Sequence, residues 1–500
     1  MLLGIDLGTS SVKVAVMAED GSVKQVATAA YAMSSPRPGW AETDPEAWWL
    51  ATRKAVAGLS VEHLRAIDAI GLAGQMHGVV LTGENGKAVR PAILWADARS
   101  TEEVARYRRL DARLLHRLAN PPSVGMAGPT LLWLKTHESS LLERARWALQ
   151  PKDWLRLQLT GEPCGEPTDA SATLLYDFVD DGWAYRALEE LDIRADLFPD
   201  LVASQGVAGR LTREAAMELG INAGIPVAAG AADTAATLVG HGVLAPGPVV
   251  LTIGTGAQMT TVRQEFKADP AQRTYVFRTV QNGKWYSMAA ILNAGLALDW
   301  VGRLFGVDSE ELHGSAARIP AGSGGVSFFP YLVAERTTHV DAGACWSGVG
   351  LQHRKEHLLK ASLEGVAFAL HDAMEALEAT GISPADLQLA GGGTVNQHWR
   401  QMLADVLGRR MLAIDSPAGS ARGAALLGGL AVGKFKTLED VAALAMGADL
   451  AAEPGAAADE YSRLYERWKK MSRSLGPPPI ETPKPSSPTS TVDRRPPARR

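Results

Sequence analysis

Cysteine is scarce in this sequence. Among 500 residues only Cys164 and Cys345 occur, far apart and without CxxC spacing. Neither a disulfide framework nor a zinc site is therefore indicated. Such a chain suits a reducing compartment, and we expect the protein to be cytoplasmic.

Long apolar runs are also missing. No uninterrupted stretch approaches the roughly twenty residues that a membrane helix needs. A strand is predicted within two residues of Met1, where a signal segment would need a charged region and then an apolar one. We therefore expect neither secretion nor a membrane partner.

The net charge of −5 is spread over interspersed acids and bases, which excludes the basic field typical of nucleic-acid-binding proteins.

The length and the ordinary apolar content allow two large domains. Apolar strands alternate with helical stretches, a pattern typical of a layered α/β protein. A connector with Gly and Pro at residues 241–248 divides the chain. We predict domains over 1–243 and 244–475 with a ligand cleft between them. Residues 476–500 are rich in Pro, Ser and Arg and are predicted to form a disordered tail.

The two halves share a strand-and-turn pattern. Residues 2–7 and 249–253 are apolar runs, and both stop at Gly-Thr, in Gly8-Thr9 and in Gly254-Thr255. Each pattern predicts a strand entering a tight hairpin whose backbone N–H groups can approach a phosphate closely. Two such hairpins indicate two halves that grip one polyphosphate.

The repeat continues later in each half, but its chemistry is unequal. A strand ending in Leu-Ala-Gly is predicted after a helix over 48–59 and again after a helix over 358–379. Within the hairpin strands, Asp6 in the first copy corresponds to Thr252 in the second. A carboxylate beside phosphates suits Mg²⁺ or its water ligands.

Asp233 follows an apolar strand and a Gly-Ala turn at the start of an Ala-rich helix. An acid at this place can be a helix cap, worth about 1 kcal/mol. Because only small residues surround it, Asp233 can instead accept the proton of an alcohol that attacks a γ-phosphoryl group. The residues alone leave both roles open.

Two further segments have the composition of a polyol site. Gln75, Met76 and His77 follow a buried strand between two glycines, where His77 is either a core residue or a partner for hydroxyl groups. Trp95 precedes Asp97 and Arg99, and sugar sites commonly combine an aromatic face with charged partners for hydroxyls. A core position for Trp95 is the alternative.

A glycine-rich turn opens a helix in the second half. Gly391-Gly392-Gly393 permits close backbone approach, and Asn396 is placed to hydrogen-bond a purine or a ribose.

Together these segments resemble the FGGY family of carbohydrate kinases, from residue 2 to about residue 470. The resemblance implies an α/β fold of two actin-like (ribonuclease H-like) ATPase domains with an interdomain cleft, and ATP and Mg²⁺ as cofactors. It implies that Asp6 holds Mg²⁺ through water. The ATP contacts that it implies are Thr9, Ser10, Lys13, Gly254, Thr255, Gly256, Gly392 and Asn396.

Three segments resemble the xylulokinase branch of this family: residues 39–49 (GWAETDPEAWW), 151–156 (PKDWLR) and 74–78 (GQMHG). Glycerol kinases carry Arg-Glu where this chain has Met-His. The resemblance implies ATP-dependent phosphorylation of D-xylulose to D-xylulose 5-phosphate, with Asp233 as the catalytic base. The substrate contacts that it implies are Met76, His77, Trp95 and Thr234.

The sequence departs from the branch at two positions. Thr234 stands where Asn is common, so the sugar contact there changes, and Thr338 replaces a proline, from which we expect altered loop rigidity and retained activity. One alternative is a kinase for another pentulose or polyol of the same family. The other is a non-enzymatic actin-like binding or filament protein, against which Asp233 in a wall of small residues argues. Family members are often dimers, which implies a homodimer.

Overall fold

The computed structural model describes residues 1–333, 335, 343–414, 418–445 and 447–475. The predicted disordered tail over 476–500 and the substituted loop position Thr338 lie outside the described residues. Within these ranges no helix combines the length and the apolar character that a membrane crossing requires.

The strands of the first half are β1 (Leu2–Leu7), β2 (Ser11–Met17), β3 (Val23–Ala30), β4 (Glu42–Thr43), β5 (Ala69–Gly74), β6 (Val80–Thr82), β7 (Ala92–Ile93), β8 (Trp147–Leu149), β9 (Tyr176–Asp177), β10 (Gly182–Trp183), β11 (Val207–Arg210), β12 (Pro226–Ala228) and β13 (Ala231–Ala232). Those of the second half are β14 (Val249–Ile253), β15 (Ala257–Arg263), β16 (Tyr275–Arg278), β17 (Trp285–Ile291), β18 (Ser327–Phe329), β19 (Cys345–Ser347), β20 (Asp386–Ala390), β21 (Arg410–Ile414) and β22 (Ala448–Ala452).

The helices of the first half are α1 (Pro45–Ala57), α2 (Val61–Arg65), α3 (Thr101–Tyr107), α4 (Ala112–Leu118), α5 (Ala127–His137), α6 (Ser139–Arg144), α7 (Pro151–Thr160), α8 (Pro167–Ala170), α9 (Tyr185–Glu190), α10 (Arg213–Leu219) and α11 (Asp233–Gly240). Those of the second half are α12 (Gly295–Phe305), α13 (Ser309–Arg318), α14 (Lys355–Ala379), α15 (Gln397–Leu407), α16 (Gly419–Ala431), α17 (Leu438–Ala442) and α18 (Ala458–Ser474).

Two mixed sheets repeat one topology. The first has the order β11-β12-β5-β1-β2-β3, with β13 also beside β5, and the second has the order β16-β17-β15-β14-β20-β21-β22. In the first sheet β1 pairs antiparallel with β2 and parallel with β5, and in the second β14 pairs antiparallel with β15 and parallel with β20. Both predicted hairpins are therefore confirmed, and the fold is the expected two-domain α/β arrangement.

The helices that precede the Leu-Ala-Gly strands begin earlier than predicted. The predicted helix over 48–59 is α1, which begins at Pro45 because the Asp44 side chain caps it by accepting from Glu46 N and because proline suits the first helical position. The predicted helix over 358–379 is α14, which begins at Lys355 and is buried along most of its length. Both helices supply apolar faces to the cores beside the sheets.

Two helices interlock the halves. Although α16 belongs to the second half, it packs on β1 and β5 of the first sheet. Gly4 and Gly71 permit this approach, because a methyl group on either would overlap a main-chain carbonyl of α16. Conversely, Leu238 of α11 lies in one buried cluster with Val262 and Met288 of the second sheet. The strands of the first sheet all lie before the connector in the chain, and those of the second sheet all lie after it. The predicted domain boundary after residue 243 stays a prediction.

Candidate active site

Three strands of the first sheet end at one edge and bring the predicted acidic residues together. Asp6 of β1 lies opposite Ala73 of β5, and Ala231 of β13 lies opposite the same Ala73 from the other side, all in parallel pairing. The residues that follow these strands therefore emerge side by side, as the carboxyl ends of parallel strands do. Asp6 and Asp233 are close enough that their negative charges interact.

The first hairpin turn is held from several sides. Gly8 N donates to Ser11 O at 3.0 Å and closes the turn. The hydroxyl of Tyr31 donates to Gly8 O, and Trp95 Nε1 donates to Thr9 Oγ1 at 3.0 Å. Trp95, predicted to line a sugar pocket, thus contacts Thr9, a predicted phosphate-binding residue.

Asp6 is surrounded by protein, and only one of its two carboxylate oxygens accepts a hydrogen bond in the described part of the chain. Its Oδ2 accepts from Ser420 Oγ at 2.6 Å, and Lys13 lies opposite it on β2. Its Oδ1 is buried and has no hydrogen-bond partner in the described part of the chain. Burial raises the pKa of Asp6, while the Ser420 hydrogen bond and the Lys13 charge act against that rise. The contact with Ser420 comes from α16 of the other half, and no sequence signal indicated it.

Asp233 is the first residue of α11, and Ala232 occupies the N-cap position without a side-chain cap. The Asp233 Oδ1 accepts from Thr234 N at 2.6 Å and from Thr234 Oγ1 at 3.1 Å. Its side chain is half-buried. Burial, with a further contribution from the charge of Asp6, raises the pKa of Asp233 from 3.8 to about 7. A carboxylate with such a pKa can take a proton near neutral pH.

A buried ion cluster lies behind the turn that carries Asp233. Lys152 and Arg156 of α7 both contact Asp153 Oδ1, at 2.6 and 2.8 Å. Arg156 also donates to the main-chain O of Ala229 at 2.7 Å. Gly230 then turns the chain with φ of +82°, where a side chain would overlap Leu72 O. Residues 151–156 thus support the Asp233 turn, a role that their family resemblance did not reveal.

His77 and Met76 lie next to aromatic side chains of the second half. His77 has φ of +72°, and its Nδ1 donates to Ala172 O at 2.7 Å, which places the proton of a neutral ring on Nδ1. Its ring lies 6.0 Å from that of Phe277. The Met76 sulfur lies 3.9 Å from the hydroxyl of Tyr286. Sequence reasoning missed Phe277 and Tyr286, because the strands that carry them are brought here only by the docking of the two halves.

Thr234 connects the two halves beside Asp233. Gln258 Nε2, on β15 of the second sheet, donates to Thr234 Oγ1 at 3.2 Å. The same Thr234 hydroxyl donates to Asp233. Position 234 lacks the side-chain amide of the asparagine that is common there, but the side-chain amide of Gln258 lies within hydrogen-bond distance of Thr234. The predicted sugar contact of Thr234 stays a prediction.

The charged residues after Trp95 have partners within the first half. Asp97 Oδ2 accepts from Ala41 N at 2.6 Å and from Arg99 at 2.7 Å. The Arg99 guanidinium also contacts Glu42 and stacks 3.5 Å above the Trp40 ring. These contacts hold the segment that carries Trp95.

The second hairpin turn, the glycine-rich turn and α12 adjoin one another. Gly254 N donates to Gly256 O at 2.8 Å, and Leu296 N of α12 donates to Thr255 O at 2.8 Å. Gly393 fits against Ile253, because a methyl group on Gly393 would lie 2.7 Å from Ile253 Cγ2. The predicted second phosphate loop therefore lies directly beside the predicted adenosine turn, at the ends of β14 and β20.

Asn396 has a structural partner. It is the N-cap of α15, and its Oδ1 accepts from Trp399 N at 3.1 Å. The side chain is half-buried. The cap uses the amide oxygen, and the amide nitrogen takes no part in it. The predicted nucleotide contact of Asn396 stays a prediction.

The sequence and the fold are similar to known carbohydrate kinases. Residues 1–240 and 249–432 match the N-terminal and C-terminal domains of the FGGY family of carbohydrate kinases. The chain is 36% identical over 446 residues to a xylulose kinase of Escherichia coli (strain K12), across 88% of this chain and 91% of the relative. It is 33% identical over 479 residues to a xylulose kinase of Bacillus subtilis (strain 168), across 94% and 96%. The crystal structure of a xyloylose kinase from Brucella ovis matches with a TM-score of 0.87 and 31% identity, across 94% of this chain and 98% of that one.

Proposed function

The chain belongs to the FGGY family of carbohydrate kinases, and from this membership we propose that it phosphorylates D-xylulose with ATP, giving D-xylulose 5-phosphate. The similarity to xylulose kinases over most of the chain supports this substrate. So does the Met76-His77 pair at the edge of the first sheet. A kinase for another pentulose or polyol is the nearest alternative.

Asp233 is the catalytic base of the proposed reaction. The 5-hydroxyl oxygen of the sugar attacks the γ-phosphorus, the bond from that phosphorus to the β,γ-bridging oxygen breaks, and the hydroxyl proton passes to the Asp233 carboxylate. The position of Asp233 at the start of α11, beside Asp6 at the ends of the parallel strands β1, β5 and β13, is the single observation that carries this assignment, and its raised pKa agrees with it. At that pKa the residue is both ionised often enough to accept a proton and basic enough to hold it.

The two hairpin turns bind the phosphates of ATP in this proposal. Thr9 and Ser10 supply hydroxyl groups, Lys13 supplies positive charge, and the turn of Gly254, Thr255 and Gly256 supplies the main-chain N–H groups of Thr255 and Gly256, while the N–H of Gly254 closes the turn. Gly392 and Asn396 are proposed to contact the adenosine.

Mg²⁺ is the proposed metal, and Asp6 fits it. The Asp6 Oδ1 is an oxygen ligand without a hydrogen-bond partner in the described residues, and Mg²⁺ in kinase sites is held by one or two carboxylates, water and phosphate oxygens. When bound there, directly or through water, the metal neutralises charge on the phosphates.

Met76, His77, Trp95 and Thr234 are proposed to hold the ketose. His77 offers a ring nitrogen to hydroxyl groups, and Trp95 offers an apolar face to C–H groups. Closure of the two domains excludes water, which competes with the sugar as phosphoryl acceptor. A homodimer and a cytoplasmic location stay predictions.

The test of the base is Asp233→Ala. We expect this variant to lose xylulose-dependent ADP formation while ATP and xylulose still bind, measured by a coupled assay and by calorimetry. Turnover near that of the wild type would contradict the assignment.

A further inference from the structure

The turn that precedes Asp233 is held by a neighbouring strand and by the side chain of Thr168. Ala232 lies in β13, which pairs with β5 on one side. The main-chain N–H of Ala232 donates to Thr168 Oγ1 at 2.8 Å on the other. Thr168 is 0% exposed, so it contacts neither substrate nor solvent.

The Thr168 hydroxyl is oriented by a buried carboxylate. It donates to Glu166 Oε1 at 2.7 Å, so its only proton is used and a lone pair faces Ala232 N. Glu166 Oε2 accepts from Ser204 Oγ at 2.8 Å, and Ser204 O accepts from Gly230 N at 2.9 Å. Glu166 therefore connects, through Thr168 and Ser204, to both ends of the three-residue turn before Asp233.

We propose that Thr168 is a positioning residue for phosphoryl transfer: its hydroxyl fixes Ala232 N and thereby the direction in which Asp233 presents its carboxylate to the sugar. This inference rests on the proposed role of Asp233. A base must lie within hydrogen-bond reach of the proton that it removes, and a displacement of about 1 Å can lower the rate roughly 100-fold. Because Ala232 directly precedes Asp233, loss of the hydrogen bond from Ala232 N to Thr168 is expected to displace the carboxylate and to lower the rate.

Valine in place of Thr168 isolates the hydroxyl. Valine has a methyl group where threonine has its hydroxyl, so the branched shape is kept while the donor and the acceptor are removed. The cap of α8 also persists, because Thr168 N and Asp169 N donate to Glu166 through the main chain at 2.9 and 2.8 Å. What is lost is the acceptor for Ala232 N and one donor to Glu166.

The experiment compares Thr168→Val and Thr168→Ser with the wild type in steady-state kinetics. We expect kcat to fall about 10- to 100-fold in Thr168→Val, with KM for ATP and for xylulose within about twofold because Thr168 reaches neither ligand. Thr168→Ser keeps the hydroxyl and should retain kcat within about threefold of the wild type. The matched control is Thr52→Val, since Thr52 is equally buried but donates only to Trp48 O within α1, and its kcat should not change.

Three results would overturn the proposal: wild-type kcat in Thr168→Val, a lower kcat in Thr168→Ser than in Thr168→Val, or an equal loss in Thr52→Val. If Thr168→Val does not fold, Thr168→Ala and Thr168→Ser replace it, because both lack the methyl group and differ in the hydroxyl; equal kcat values in this pair would likewise refute the role. Asp233→Ala distinguishes a failure of the positioning role of Thr168 from a failure of the proposed base. If it is inactive while Thr168→Val is normal, only the positioning role fails, whereas an active Asp233→Ala removes the proposed base itself.

Discussion

Replacing Asp233 with asparagine is expected to stop phosphoryl transfer and to stabilise the folded protein above neutral pH. Asparagine has the same shape, and its oxygen can still accept the hydrogen bonds from Thr234 N and Oγ1. It cannot take a proton from the sugar, so kcat should fall by about 10²- to 10⁴-fold. It also carries no charge, so it removes both the cost of burying an ion and the repulsion from Asp6.

The expected stabilisation follows from the pKa. In the folded protein the pKa of Asp233 rises from 3.8 to about 7. Compared with the asparagine variant, the wild type therefore has its full stability below pH 3.8 and loses stability as the pH rises through about 7. The loss arises because the folded protein must then ionise a carboxyl group that favours its protonated form. At about 1.4 kcal/mol per pKa unit, the asparagine variant should gain about 4 kcal/mol at pH 8 and only about 2 kcal/mol at pH 5.

The measurement is the free energy of unfolding by urea at pH 5 and at pH 8, for the wild type and for Asp233→Asn. Asp459→Asn is a suitable control, because Asp459 is an exposed acid in the first turn of α18, and its change should stay within about 0.5 kcal/mol. An unchanged stability of Asp233→Asn at pH 8, or an equal gain at pH 5 and at pH 8, would refute the raised pKa of Asp233.

Three further predictions concern the titration of Asp233, the hydrogen bond of Trp95 and the packing of α16 on Gly71. Below pH 7, kcat/KM should fall about tenfold per pH unit as Asp233 takes up a proton; a flat profile from pH 5 to 8 would exclude it as the base. Trp95→Phe loses the hydrogen bond to Thr9 and should raise KM for ATP about fivefold. An unchanged KM would show that this hydrogen bond has no effect on ATP binding. In Gly71→Ala the new methyl group overlaps Ala424 O of α16, which should destabilise the protein by at least about 2 kcal/mol in denaturant unfolding. Its control Gly314→Ala, in an open part of α13, should stabilise by up to about 1 kcal/mol, and equal effects would contradict the interlocked packing.

Local sequence signals were sufficient for the elements that carry the site. The Gly-Thr hairpins follow from apolar strands that end at residues able to make a tight turn, and both are confirmed. The start of α1 is also encoded locally, in Asp44 and Pro45. The position of Asp233 at the start of α11 is confirmed, but its raised pKa depends on burial and on Asp6, which lies far away in sequence.

Contacts between the halves could not be predicted from one sequence. Gly4 and Gly71 are simple strand glycines in the chain, and only the packed structure shows that α16 needs the space above them. Ser420, Gln258 and Tyr286 reach Asp6, Thr234 and Met76 from the other half. No short-range pattern marks such residues, because their partners are chosen by the docking of two sheets.

The most direct test of the proposed activity is a comparison of sugar acceptors with the purified full-length protein. ADP formation from ATP and Mg²⁺ is measured with D-xylulose, D-ribulose, glycerol, erythritol and gluconate, and the phosphorylated position is identified by NMR. We expect the highest kcat/KM with D-xylulose and phosphate on its 5-hydroxyl. A preference for D-ribulose or for a polyol would contradict the substrate assignment, and ATP-dependent polymers without sugar-stimulated ADP formation would contradict the kinase itself.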